Sequence, residues 1–282
     1  MTGAGGDGAF EGRIPVDGGE LWAQWAGSGS GVVLIHAGIA DARMWDPQWD
    51  TLVSQHRTAR YDCRGYNRTV TEAVPFSNRA DVIAVMDAAG IDEAVLVGCS
   101  RGGSIALDTA LEYPDRVKGL AWVCGGVSGA EVDDLPEAEA LFERQEALFE
   151  AKDWEAMADI DVQLWVDGLG QPAGRAAEPV RALVRQMCLD TYTQELEEGE
   201  PIVLDPPAVG RLEDLWVPVL AIVGELDLPA TAAMATILVD GAILVQRIDL
   251  PDVAHLPNLE RPTWFTETLR TFLDEVDAAS QP

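Results

Sequence analysis

Ala94-Val95-Leu96-Val97-Gly98-Cys99-Ser100-Arg101-Gly102-Gly103 is the stretch that decides how this chain folds. Its apolar run, closed by glycine, reads as a buried strand. Ser104 to Tyr113 then reads as a helix, stopped by Pro114. Ser100 therefore stands in the shortest possible turn between strand and helix, with glycine two residues before it and two after. A turn this sharp forces the serine into strained backbone geometry. A Cβ at either flanking glycine would strike the neighbouring strand or helix. The strain lifts the hydroxyl clear of the sheet, and the helix aims its unpaired N-terminal amides at the same spot. Gly-x-Ser-x-Gly in this setting is a nucleophile elbow. The same short pattern also arises by chance in loops, so its weight rests on the flanking elements and on the partners a serine needs.

A neutral hydroxyl is a poor nucleophile and needs a base within hydrogen-bonding reach. The chain has three histidines. His36 ends the apolar run Val32–Ile35, next to a glycine-bearing turn. His56 sits in a polar stretch and reads as a solvated surface residue. His255 lies in the loop Pro251–Pro262, between a strand expected over Ala242–Ile248 and the last helix. A late loop can swing over the sheet edge, so His255 is the expected base; a loop histidine without a role is the plainer alternative. The base needs a carboxylate to hold its tautomer and stabilise its charge. Val217–Val223 reads as a strand, and Gly224-Glu225-Leu226-Asp227 is the turn after it. Glu225 and Asp227 are both candidates, and Asp227, two residues further out, is better placed to reach over the edge. Ser100, Asp227 and His255 then follow the chain order serine, aspartate, histidine.

At this point five blocks fall into line. They are His36-Ala37-Gly38 with Trp45 downstream, Tyr61-Asp62-Cys63-Arg64-Gly65-Tyr66-Asn67-Arg68-Thr69, Gly98 to Gly103, Gly224 to Asp227, and Ala254-His255 through Glu260-Arg261-Pro262. Over nearly its whole length the chain resembles the α/β-hydrolase superfamily. Met44-Trp45-Asp46-Pro47-Gln48, with Arg60-Tyr61-Asp62 downstream, resembles its esterase, perhydrolase and enol-lactonase branch. The resemblance implies Ser100, Asp227 and His255 as catalytic residues. It also implies an oxyanion hole made by the backbone amides of Gly38 and Arg101, whose dipoles are fixed before charge develops. Two positions depart from the family pattern: Ala37 and Asn67 stand where glycine is usual. Asparagine also tolerates a left-handed backbone.

The alternation of strand and helix signals gives an α/β fold, a mostly parallel central sheet flanked by helices. The alternation breaks between residues 128 and 210, which are rich in Glu, Ala and Leu at helical spacing. The expected organisation is a core of residues 1–127 and 211–282 with an α-helical cap inserted at 128–210. Phe142, Phe149, Trp154, Met157, Trp165, Met187 and Tyr192 belong to that cap. Most are expected in its own core, with a few forming an apolar wall of the pocket.

At 282 residues the chain can bury about 75% of its unfolded surface as one large domain with an insertion. A net charge of −29 argues against nucleic acid and against an anionic membrane surface as partners. No apolar run approaches the ~20 residues that span a bilayer, and Met1–Gly8 lacks the basic and apolar regions of a signal peptide. A disordered leader and a cytoplasmic location are expected. Cys63, Cys99, Cys124 and Cys188 are scattered without metal or disulfide spacing, and read as small packing thiols. The Arg101 side chain has two readings, a grip on a substrate carboxylate or a pair with a local acid, and the second is preferred.

The sequence thus points to a serine hydrolase that cleaves a small, mostly apolar ester or lactone through an acyl-enzyme, without metal or organic cofactor. Hydrolysis of a C–C bond in a β-diketone is an alternative within the fold. A hydrolase-like ligand-binding protein or receptor with slow turnover is an alternative from another class. Oligomeric state stays open.

Overall fold

The computed structural model describes residues 8–133, 135–194 and 199–279. In chain order, β1 (Phe10–Val16), β2 (Gly19–Ala26) and β3 (Gly31–Ile35) lead through a 3-10 turn (Ala42–Trp45) into α1 (Asp46–Val53). Then come β4 (Arg57–Tyr61), the short β5 (Val70–Thr71), α2 (Asn78–Ala89), β6 (Ala94–Cys99), α3 (Arg101–Glu112) and β7 (Val117–Val123). Three helices follow: α4 (Pro136–Ala151), α5 (Trp154–Asp161), which runs on into a π-helical stretch (Val162–Gly168), and α6 (Glu178–Tyr192). The strand–helix alternation resumes with β8 (Val219–Gly224), α7 (Pro229–Gly241), β9 (Val245–Leu250), α8 (Pro257–Glu260) and α9 (Pro262–Ala279).

Among the described residues, nine strands form one sheet in the order β1-β2-β4-β3-β6-β7-β8-β9, with β5 paired to β2. Pairings of β1 with β2 and of β2 with β4 and β5 are antiparallel; the rest are parallel. Every residue of β3, β6 and β8 is buried. These strands read as unbroken apolar runs because helices cover both faces. Alternate side chains feed two cores. Val33, Ile35 and Leu96 pack with Met86 of α2, Leu107 of α3 and Leu238 of α7. Val32, Leu34 and Val97 pack with Leu52 of α1 and with Phe265, Leu269 and Phe272 of α9. Each such large side chain contributes about 1.5–3 kcal/mol by leaving water. Between β7 and β8 the described residues form no named strand; Pro201 makes an isolated parallel bridge to Phe76. No described helix is long and apolar enough to cross a membrane.

Some sequence expectations shift. The elbow helix begins at Arg101, three residues before Ser104, so the turn is tighter than the apolar pattern indicates. The last strand lies at Val245–Leu250 and not at Ala242–Ile248. Ile243 and Leu244 are 56% and 50% exposed just before this edge strand, so apolarity there does not mark the strand. His56 is buried, not solvated. Ser30 Oγ lies 3.0 Å from its Nδ1 and donates to Asp277 of α9 at 2.5 Å. A contact with the far end of the chain covers a stretch whose local composition is polar. The expectation of a disordered leader concerns mainly residues 1–7, outside the described residues.

Candidate active site

Ser100 joins β6 to α3 with φ 55° and ψ −119°. A non-glycine residue in this region is strained. The strain is held from both sides. A Cβ on Gly98 would lie 2.1 Å from Gly102 O, and a Cβ on Gly102 would lie 2.2 Å from Ile35 O. Both obstacles are backbone atoms, so nothing can move aside, and only glycine fits. Ser100 N–H donates to Val123 O at 2.8 Å, which ties the turn to β7.

Asp227 and His255 meet at the C-terminal end of β8. His255 Nδ1 lies 2.6 Å from Asp227 Oδ2, and Leu228 N–H donates to Asp227 Oδ1 at 2.8 Å. Both side chains are at most 5% exposed. Facing a carboxylate, Nδ1 is the ring nitrogen that donates. Glu225 is exposed, so of the two acids in the turn only Asp227 reaches the imidazole. The histidine loop is anchored from several directions. His255 N–H donates to Trp165 O at 3.2 Å, and the Trp165 ring lies 4.5 Å from the imidazole. Ala254 N–H donates to Glu260 Oε1 at 2.8 Å, and Glu260 pairs with Arg175 at 2.7 Å. Trp165 and Arg175 come from the segment between β7 and β8. The sequence holds no signal for either contact, since neither residue lies near His255 in the chain.

Ser100 and His255 line one cavity of about 840 Å³, together with Phe142, Trp165 and Met234. Gly38 lines a neighbouring cavity of about 660 Å³ with Tyr66, Trp154, Met157 and Tyr192. Arg101 belongs to both, so it stands at the partition. A methyl group on Gly38 would come within 3.9 Å of Arg101 Cβ and 3.6 Å of Tyr66 Oη. Of the five residues singled out from the sequence, Ser100, Arg101 and His255 share one cavity, Asp227 reaches it through His255, and Gly38 lines the neighbouring cavity with Arg101. Asn67 takes φ 39° and donates to Asp41 at 3.0 Å, using the left-handed freedom of asparagine.

The Arg101 guanidinium departs from expectation. No acid among the described residues pairs with it. Nη2 donates to Asn78 Oδ1 at 3.2 Å and the group lies 5.0 Å from the Tyr66 ring centre. The nearby Asp81 is already held by Arg64 at 2.8 and 2.9 Å. As for metals, Cys124, Asp227 and His255 offer donor atoms within 4.8 Å of one another. Burial pushes the Cys124 thiol well up, and both Asp227 oxygens already accept N–H groups. With the thiol held protonated and both carboxylate oxygens engaged, this donor set is a poor metal shell.

Comparison with known proteins agrees with this architecture. The profile of the alpha/beta hydrolase family matches residues 32–268, and the chain belongs to that family. A protein of Azorhizobium caulinodans named for carbamate hydrolysis, RutD, is 26% identical over 265 residues, 92% of this chain and 96% of the other. The pimeloyl-(acyl-carrier protein) methyl ester esterase of Yersinia enterocolitica is 27% identical over 248 residues, covering 86% and 93%. Among solved structures, the enol-lactonase of Burkholderia xenovorans LB400 superposes with a TM-score of 0.74 at 25% identity, covering 93% of this chain and 100% of the other.

Proposed function

We propose that this chain is a serine hydrolase that cleaves a small, mostly apolar carboxylic ester or lactone through an acyl-enzyme. The observation that carries the reading is Ser100 at positive φ in a strand-to-helix turn, on the same cavity as an imidazole whose Nδ1–H is held by Asp227. In this mechanism His255 Nε2 takes the Ser100 proton as Oγ attacks the carbonyl carbon. The backbone amides of Gly38 and Arg101 receive the oxyanion. Asp227 keeps the imidazole oriented and stabilises its positive charge. His255 then protonates the leaving alcohol and activates the water that releases the acid. The relatives support this class: a carbamate, a methyl ester and an enol-lactone are all opened by attack at an acyl carbon.

Residues 128–210 act in this reading as a cap over the nucleophile. Phe142 and Trp165 supply apolar wall to the Ser100 cavity, and Arg175 couples the cap to the histidine loop. The test is covalent labelling with a fluorophosphonate, together with burst kinetics on p-nitrophenyl esters. The intact protein is expected to label once and to turn over. Ser100→Ala is expected to lose the label and several orders of magnitude in kcat while staying folded. A Ser100→Ala protein that kept its turnover would refute the mechanism.

A further inference from the structure

β9 is the last strand of the sheet, and its outer edge pairs with no other strand among the described residues. Val219 N–H donates to Leu244 O at 2.8 Å, and Glu225 N–H donates to Leu250 O at 3.0 Å. Hydrogen-bonding direction alternates along a strand, so the even-numbered residues of β9 bond to β8. The N–H and C=O groups of Val245, Arg247 and Asp249 therefore point outward. An open edge of this kind is a template for another strand unless something blunts it. The opposite edge strand, β1, carries Pro15, which has no N–H to offer a ladder. β9 contains neither proline nor lysine. The surface beside it is short of charge as well. α7 packs on β9, and Pro229 to Val239 of α7 hold no charged residue in a chain that is 24% charged. Ile243 and Leu244, 56% and 50% exposed, carry this uncharged surface on to the start of β9. Depletion of charge beside exposed apolar groups is the compositional mark of an interface core.

The two charges on β9 select the strand that fits. Arg247 and Asp249 lie on one face, 2.7 Å apart, and Arg247 also donates to Thr236 of α7 at 2.9 Å. In an antiparallel pair, two residues exchange hydrogen bonds only if both point at each other. A second β9 can meet this condition in registers centred on Gln246, Arg247, Ile248 or Asp249. Centring on Arg247 sets arginine on arginine, and centring on Asp249 sets aspartate on aspartate. Centring on Gln246 leaves Arg247 opposite Val245 and Asp249 opposite Ile243. Only the register centred on Ile248 sets Arg247 of each copy opposite Asp249 of the other, twice. We propose that this edge docks a second copy of the chain, the two β9 strands pairing antiparallel about a twofold axis at Ile248 to form one continuous sheet across a dimer. Pro251, without an N–H, ends the ladder on each side. Two chains of net charge −29 repel each other, but salt at about 0.15 M screens charges more than about 8 Å apart. At the seam itself the two arginines balance the two aspartates.

Sedimentation velocity of the full chain reads the association directly. In salt of about 0.15 M the parent is expected to form a dimer. Arg247→Asp and Asp249→Arg are each expected to raise the dissociation constant about tenfold or more, because like charges then meet twice across the seam. Mixing the two variants in equal amounts is expected to restore the dimer, since the acids of one then face the bases of the other. Recovery on mixing also shows that neither variant has lost its fold. The register is read by Ile248→Cys. Residues opposite each other at a position without hydrogen bonds have Cα atoms about 4.5 Å apart, within reach of a disulfide. Mild oxidation is expected to link two copies of this variant and not the parent, whose four thiols are buried. A parent that stays monomeric up to about 100 micromolar overturns the proposal. So does a dimer indifferent to both charge reversals, or one that Ile248→Cys does not link, since the interface would then lie elsewhere on the molecule.

Discussion

Replacing Asp161 by asparagine is expected to remove a stability penalty that grows as pH rises. Asp161 ends α5 and is 3% exposed. Gln145 of α4 donates to its Oδ1 at 2.6 Å, and the hydroxyl of Tyr192 in α6 donates to its Oδ2 at 2.5 Å. One side chain thus ties three helices. Burial pushes its carboxyl up to about 6, and hydrogen bonds from Tyr192, Gln145 and Cys188 oppose the rise only in part. The sign follows from linkage. At pH values below the ordinary 3.8 the proton is bound whether the chain is folded or not, and Asp161 contributes nothing to the pH dependence. Between there and about 6 the folded chain holds a proton that the unfolded chain has released, so stability falls as pH rises. Above that range the full penalty is present. At about 1.4 kcal/mol per tenfold difference in proton affinity, it comes to about 3 kcal/mol. Asparagine cannot ionise, yet its amide can still accept from Gln145 and donate to the Tyr192 oxygen. Urea unfolding of the parent and of Asp161→Asn between pH 4 and pH 8 checks this. Taking the difference between them cancels the other carboxylates. The variant is expected to gain about 2.5 kcal/mol on the parent between pH 4 and pH 7.5, levelling off above. A difference that stays flat, or runs the other way, would refute the assignment of a buried, protonated Asp161.

The remaining predictions concern the site. Asp227→Asn is expected to lower kcat/KM by about four orders of magnitude, because the imidazole loses the acceptor of its Nδ1–H. Glu225→Gln, at an exposed position, is expected to stay near the parent; steady-state kinetics in which the two rank the other way would mean the wrong carboxylate has been chosen. Gly102→Ala places a methyl 2.2 Å from Ile35 O and 2.7 Å from His36 O. It is expected to cost about 3 kcal/mol or more, or to prevent folding; an unchanged urea midpoint would show that the elbow is looser than described.

What the sequence determined by itself is what short-range sterics control. Gly98, Ser100 and Gly102 are legible because a two-residue clash with backbone admits no other residue, so the constraint is written in the residue types themselves. The buried parallel strands are legible for a similar reason: a strand covered on both faces must be apolar at every position, as β3, β6 and β8 are. Where a position is decided by a distant neighbour, the sequence carries no such mark. His56 looks like a surface residue until α9 returns to cover it through Asp277 and Ser30. Arg101 reads as half of an ion pair with an acid, but Asp81 is engaged by Arg64 and the side chain lies instead against Asn78 and Tyr66. The contact of Trp165 with His255 joins residues that only folding brings within 4.5 Å. Local backbone geometry is imposed by adjacent atoms and so leaves its trace in adjacent residues. Charge balance and burial depend on which surfaces meet, and that is decided only when the whole chain packs.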